Sequence, residues 1–100
     1  MSTQQPVIVI ATFVPAEGHE QDVERILRGM VAPSRAEEGC RTYDLYRTED
    51  GFTLFEHYVS SAALDHHRGT EHYVAYRAAI AEHLSRDIGV SRLSEVDVAG

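Results

Sequence analysis

Residues Val7 to Val14 read VIVIATFV, a β-branched and aromatic run of strand length. Both faces of this run are apolar: Val7, Val9, Ala11 and Phe13 share one, and Ile8, Ile10 and Val14 share the other with Thr12. A strand wetted on one side alternates apolar with polar residues, so this one is expected to be covered on both. One helical layer covers only one face, which points to a second copy of the chain over the other. Pro15 to Gly18 predicts a turn, and a helix is expected from about His19 to Arg35. There Val23, Ile26, Leu27, Met30 and Val31 recur at helical spacing and form one apolar stripe. Glu20, Asp22 and Glu24 near its start and Arg28 and Arg35 towards its end complement the helix dipole. Glu24 and Arg28 form a favourable i,i+4 pair, and Pro33 is expected to distort or end the last turn.

Glu37-Glu38-Gly39 marks a break, after which Cys40 to Thr48 predicts a strand. Tyr43 and Leu45 face one way in it, and Asp44 and Tyr46 the other. Glu49-Asp50-Gly51 before Phe52 to Val59 is a strong hairpin signal. The second hairpin strand places Phe52, Leu54, Glu56 and Tyr58 on one face and Thr53, Phe55, His57 and Val59 on the other. Ser60 or Ser61 can cap a short helix holding Leu64, His66 and His67, which Gly69 interrupts. Thr70 can cap a longer helix from Glu71 to about Arg86, with Tyr73, Tyr76, Ile80 and Leu84 facing inwards and Gly89 as its stop. Val90 to Val98 predicts a weaker final strand. The order βαββαβ defines one α+β domain over residues 1–100, with its core at about 7–97. Its architecture is expected to be ferredoxin-like, an antiparallel sheet with helices on one face.

Composition narrows the partners. The chain of 100 residues carries a formal charge of −7, with 16 acidic residues against 9 basic. Such a chain repels phosphate backbones, so nucleic acid is not an expected partner. No apolar run reaches the length of a membrane span. Met1 to Pro6 lacks the basic-then-apolar pattern of a signal peptide. A cytoplasmic location is the resulting expectation. A single cysteine, Cys40, rules out an internal disulfide and a cysteine-rich zinc site.

Glu56 is the odd residue of its strand face, set between apolar neighbours. A buried carboxyl must be paired, hydrogen-bonded or neutral. It is therefore either anchored to an Arg or Tyr of the fold or a pocket acid or base with a raised pKa. His66, His67 and His72 form the richest polar cluster, where the plain alternative for each is a surface or satisfied histidine. No metal site is expected among them. His67 and His72 stand five apart and would face different ways on one helix, and His72 and His83 are separated by three turns, about 16 Å. Five tyrosines are many for this length, and a subset can line an aromatic-friendly pocket.

The stretch SRAEEGCRTYDLY, Ser34 to Tyr46, and the stretch FEHYVSSAALDHHRGTEHY, Phe55 to Tyr73, resemble the antibiotic-biosynthesis-monooxygenase domain family. The matched positions in the second stretch are Glu56, Tyr58, Ala63, Leu64, His67, Thr70, His72 and Tyr73. The resemblance implies a dimeric α+β barrel, two sheets face to face with helices outside and a pocket between each sheet and its helices. Several members oxidise polycyclic phenols or quinols with O2 and use neither metal nor flavin. Others degrade haem, isomerise small phosphorylated sugars or have no known activity. Trp and Asn are absent and Tyr58 stands where many relatives have Trp. That argues against the haem-degrading branch and weighs against the quinone-forming members too.

On this resemblance His67 is the first candidate base, with Glu56 and His72 as further candidate catalytic residues. Tyr58, Tyr73 and Tyr46 are the candidate substrate-binding residues, and neither cofactor nor metal is expected. The expected function is a cofactor-independent monooxygenase acting as a homodimer on a phenolic or quinol-type small molecule. The alternatives are an isomerase of a small polar metabolite and a non-catalytic ligand-binding dimer.

Overall fold

The computed structural model describes residues 5–100. Met1 to Gln4, part of the polar N-terminal stretch, lie outside the described residues. The elements run β1 (Val7–Phe13), α1 (Glu20–Arg35), β2 (Cys40–Arg47), β3 (Phe52–Tyr58), α2 (Ser61–Arg68), α3 (Glu71–Ile80), a 3-10 turn (Ala81–His83) and β4 (Gly89–Leu93). The strands form one sheet in the order β2-β3-β1-β4, every neighbouring pair antiparallel. This is the ferredoxin-like α+β arrangement.

Strand parity sorts the sheet into two faces. Val9, Glu56 and Tyr43 are cross-strand partners, as are Ala11, Leu54 and Leu45, and these lie under the helices. Val9, Ala11, Phe13, Leu54 and Tyr58 on the sheet are buried, as are Val23, Leu27 and Met30 of α1 and Tyr76 and Ile80 of α3. The opposite face carries Ile8, Ile10, Phe55 and His57, which no element among the described residues covers well enough to bury.

Local chemistry explains where the helices start and stop. Ser60 caps α2 by accepting from the Ala63 N–H, and Thr70 caps α3 by accepting from the Tyr73 N–H. α1 continues through Pro33 to Arg35, and the expected Glu24–Arg28 pair forms at 2.8 Å. The second long helix is shorter than the sequence implies. Its α-helical part ends at Ile80, because Leu84 turns extended to bridge Pro15 and the Ser85 N–H donates to the Val14 carbonyl. Gly89 is not a helix stop but the first residue of β4, where a Cβ would meet Thr12 Oγ1 at 2.5 Å. β4 ends at Leu93, opposite Ile8, because β1 begins one residue earlier and offers little further to pair with. No helix among the described residues is long and apolar enough to cross a membrane.

Candidate functional site

Glu56 points from the middle of β3 into the space under the helices, where it is 6% exposed. Two residues on, Tyr58 shares its face and donates its hydroxyl to Glu56 Oε1 at 2.5 Å. From above, α2 presents His67, which is 1% exposed and brings its Nε2 to 3.9 Å from the same carboxyl oxygen. His67 Nδ1 lies 2.8 Å from Glu37 Oε2. A carboxylate oxygen only accepts, so this contact puts the ring proton on Nδ1 and leaves Nε2 with a free lone pair facing Glu56. His72, in the first turn of α3, brings its Nε2 to 2.6 Å from that same Glu37 oxygen. Aromatic rings close the surround: Tyr58, Tyr43 and Tyr73 have centroids 5.3, 5.6 and 5.2 Å from the His67 ring.

Five of the six candidates therefore converge: His67, Glu56, His72, Tyr58 and Tyr73. Tyr46 does not join them. It is three residues from Tyr43 on one strand, an odd separation that sends it to the other face, where it is 55% exposed. His67 and His72 meet because the Gly69–Thr70 break puts them on separate helices, so the one-helix geometry that would part them does not apply. Glu37 is the residue that sequence reasoning missed. It sits in the turn after α1, its side chain 6% exposed and its Oε1 buried without a partner. Gly39 lets that turn press onto α2, since a Cβ there would meet Ala63 Cβ at 2.5 Å.

Burial sets the charge states. It holds the His67 imidazole below its ordinary pKa, outweighing the hydrogen bond to Glu37 that acts the other way. It also raises the Glu56 carboxyl above its ordinary value, against the opposing hydrogen bond from Tyr58. The tyrosine hydroxyls of Tyr43, Tyr58 and Tyr76 are pushed well up by the same cause and stay protonated. The Cys40 thiol, pushed up to about 11 by burial and then by Glu37 and Glu56, is not a nucleophile at neutral pH. A neutral base thus faces a carboxyl that resists ionisation.

The Glu56 shift makes a pH prediction. The folded chain holds this proton more tightly than the unfolded chain, so the stability it contributes is full below about pH 4.3 and is lost as pH rises through the raised value. Glu56→Gln has no proton to lose and keeps an acceptor for Tyr58. Its Tm should exceed that of the parent chain at pH 8, by a margin that shrinks towards pH 4 in parallel thermal melts.

Beside this group is a cavity of about 20 Å³, lined by Glu56, His67, Arg68, Tyr73, Tyr76 and Val90 among others. That is room for one water. A larger groove of about 580 Å³ lies elsewhere, along α1 and β2, and contains none of the converging residues. The Glu37, His67 and His72 donor atoms lie close enough to hold a cation. However, the two histidines already contact one oxygen at 2.8 and 2.6 Å, shorter than the roughly 3.3 Å between ligands around a tetrahedral zinc with 2.0–2.1 Å bonds.

A four-stranded antiparallel sheet with its helices on one face, and a buried His–Glu–Tyr group between the layers, define a ferredoxin-like α+β protein with a buried polar cluster under its helices. Residues 6–79 match the family model described as antibiotic biosynthesis monooxygenase, and the chain belongs to that family. It is 47% identical over 96 residues to a Mycobacterium tuberculosis protein named "Putative monooxygenase Rv0793", covering 94% of this chain and 95% of that one. The solved structure of Rv0793 superposes with a TM-score of 0.90, covering 96% of this chain and all of that one at 46% identity. The structure of PA3566 from Pseudomonas aeruginosa superposes with a TM-score of 0.87 at 34% identity, covering 97% of this chain and all of that one.

Proposed function

We propose that this protein is a cofactor-independent monooxygenase that oxidises a phenolic or quinol-type small molecule with O2. The observation that carries the reading is the anchored, neutral His67, with its Nδ1–H fixed on Glu37 and its Nε2 turned towards Glu56. A phenolic hydroxyl that reaches Nε2 gives up its proton there, and the electron-rich anion reacts with O2. One oxygen atom enters the ring carbon. The other leaves as water with the two hydrogens lost by the substrate, which supplies all the electrons. The Glu56 carboxyl and Tyr58 hydroxyl hold the substrate oxygen, and the buried setting excludes bulk water. The name carried by the Mycobacterium tuberculosis relative supports the same reaction class. Oxygen uptake across a panel of phenols and quinols, with no metal or flavin added, tests the reading. Uptake with none of the panel, in a folded protein, would overturn it.

An isomerase is the second reading. It is favoured by an imidazole and a carboxyl of raised pKa facing each other at 3.9 Å, an arrangement suited to proton shuttling. Turnover unchanged by removing oxygen would select it over the first.

The working unit in this proposal is a homodimer closed through the open sheet face. Ile8, Ile10 and Phe55 lie there only partly buried, and His57 keeps a buried Nε2 without a partner. β4 is exposed along its whole length, and Val96 and Val98 beyond it are 96% and 63% exposed. Phe55→Asp should give native mass near the 11.2 kDa of one chain, with circular dichroism unchanged, where the parent chain gives twice that mass. A parent chain that is already monomeric at micromolar concentration would remove the dimer from the proposal.

A further inference from the structure

A second cluster stands apart from the His67 site. His19 lies just before α1, Asp22 in the first turn of α1, and His83 in the 3-10 turn after α3. His19 Nδ1 and His83 Nδ1 are 2.9 Å apart, and Asp22 Oδ2 lies 3.5 Å from the first and 3.7 Å from the second. The circle through three points with these separations has a radius of about 2.0 Å, which is the bond length of zinc to imidazole nitrogen and carboxylate oxygen. For a tetrahedral ion the two nitrogens part from 2.9 Å to roughly 3.3 Å, a shift open to the His19 ring at 42% exposure and not to His67 and Glu37 at 1% and 6%. The two Nδ1 atoms face each other across the space of a single hydrogen.

The surroundings orient the three donors. The Arg25 guanidinium donates to Asp22 Oδ1 at 3.1 Å, which turns Oδ2 to the histidines. The Glu82 carboxylate stands 3.5 Å from His83 Nε2, on the far side of the ring from the cluster. The scaffold is held by the main chain: the Ala16 N–H donates to the His83 carbonyl at 2.8 Å, and Pro15 bridges Leu84. The side chains are 42%, 37% and 17% exposed for His19, Asp22 and His83, which leaves an outer coordination position open to water.

We propose that His19, Asp22 and His83 form a binding site for a divalent transition-metal cation of the zinc type, completed by water. Two imidazoles and one carboxylate suit Zn²⁺ and exclude Mg²⁺ and Ca²⁺, which take oxygen ligands. The bound ion ties the start of α1 to the end of α3, two elements joined here across 64 positions of sequence.

The test uses the full chain, stripped with a chelator and titrated with Zn²⁺ alone by calorimetry, with bound zinc counted after desalting. One equivalent per chain is expected, together with a rise in Tm on adding zinc. His83→Ala and Asp22→Asn should each lose that equivalent, with affinity at least about 100-fold weaker, beyond the 10–100-fold typical of losing an outer-shell partner. His19→Ala removes a half-exposed ring, so it gives the same reading without loss of core packing. His72→Ala should keep the equivalent. No bound zinc in the parent chain, zinc retained in both His83→Ala and His19→Ala, or zinc lost only in His72→Ala would each overturn the assignment.

Discussion

Replacing His67 by alanine is expected to lower the oxygenation rate by about 10²–10⁴-fold, the usual contribution of a positioned general base. The expectation rests on the way His67 is held. Its ring is 1% exposed, so few waters are at hand to take the proton in its stead. Its Nδ1 is committed to Glu37, so only Nε2 is available as a base. Glu37→Gln separates orientation from basicity. The amide can still contact Nδ1, but it no longer demands a donor there, so the loss should be smaller and fall mainly on kcat. Steady-state oxygen-electrode rates on the two variants, with circular dichroism to confirm folding, would check both. An unaltered rate in His67→Ala would remove this residue from the base role.

The largest stability effect is expected at Leu54. It is fully buried on β3, pairs with Ala11 and Leu45, and belongs to the cluster that includes Leu27, Met30 and Ile80. Leu54→Ala should cost about 2–5 kcal/mol, because both the transfer free energy and the cavity left behind count against the fold. For a domain of this size that lowers Tm by roughly 10 °C or more. The next residue, Phe55, faces the opposite way and is only partly buried in one chain. Its truncation should change the Tm of a single chain far less. Thermal melts of the two alanine variants at a concentration where the chain is monomeric would make the comparison. Equal losses at both positions would mean that the two faces are packed alike.

The sheet and its site were unequally legible in the sequence. Strand parity alone placed Glu56 and Tyr58 together and His57 opposite, because side-chain direction in a strand follows from counting. The capping residues Ser60 and Thr70 were readable for the same local reason. Glu37 was not, since it reads as one of two acids in a turn, and only the close approach of Gly39 to Ala63 brings it over His67. Leu84 fits the helical stripe, so the pattern predicts a helix to about Arg86, while α3 ends at Ile80. The pairing of Val14 and Pro15 with Ser85 and Leu84, which pulls the latter into extended backbone, spans some 70 residues. The meeting of His19 with His83 depends on that same distant pairing.

The water-sized cavity beside His67 has a consequence for any binding measurement. A volume of about 20 Å³ does not admit a phenol ring. A ring-sized ligand that is to reach His67 must therefore bind an opened form of the chain, in which α3 stands further from the sheet. Its observed affinity is the intrinsic one reduced by the fraction of molecules open at that moment. Chemically different rings share this opening cost, so every affinity in a series is weakened by the same factor while the ratios between ligands still report their contacts. A substitution that loosens α3 will tighten them all together.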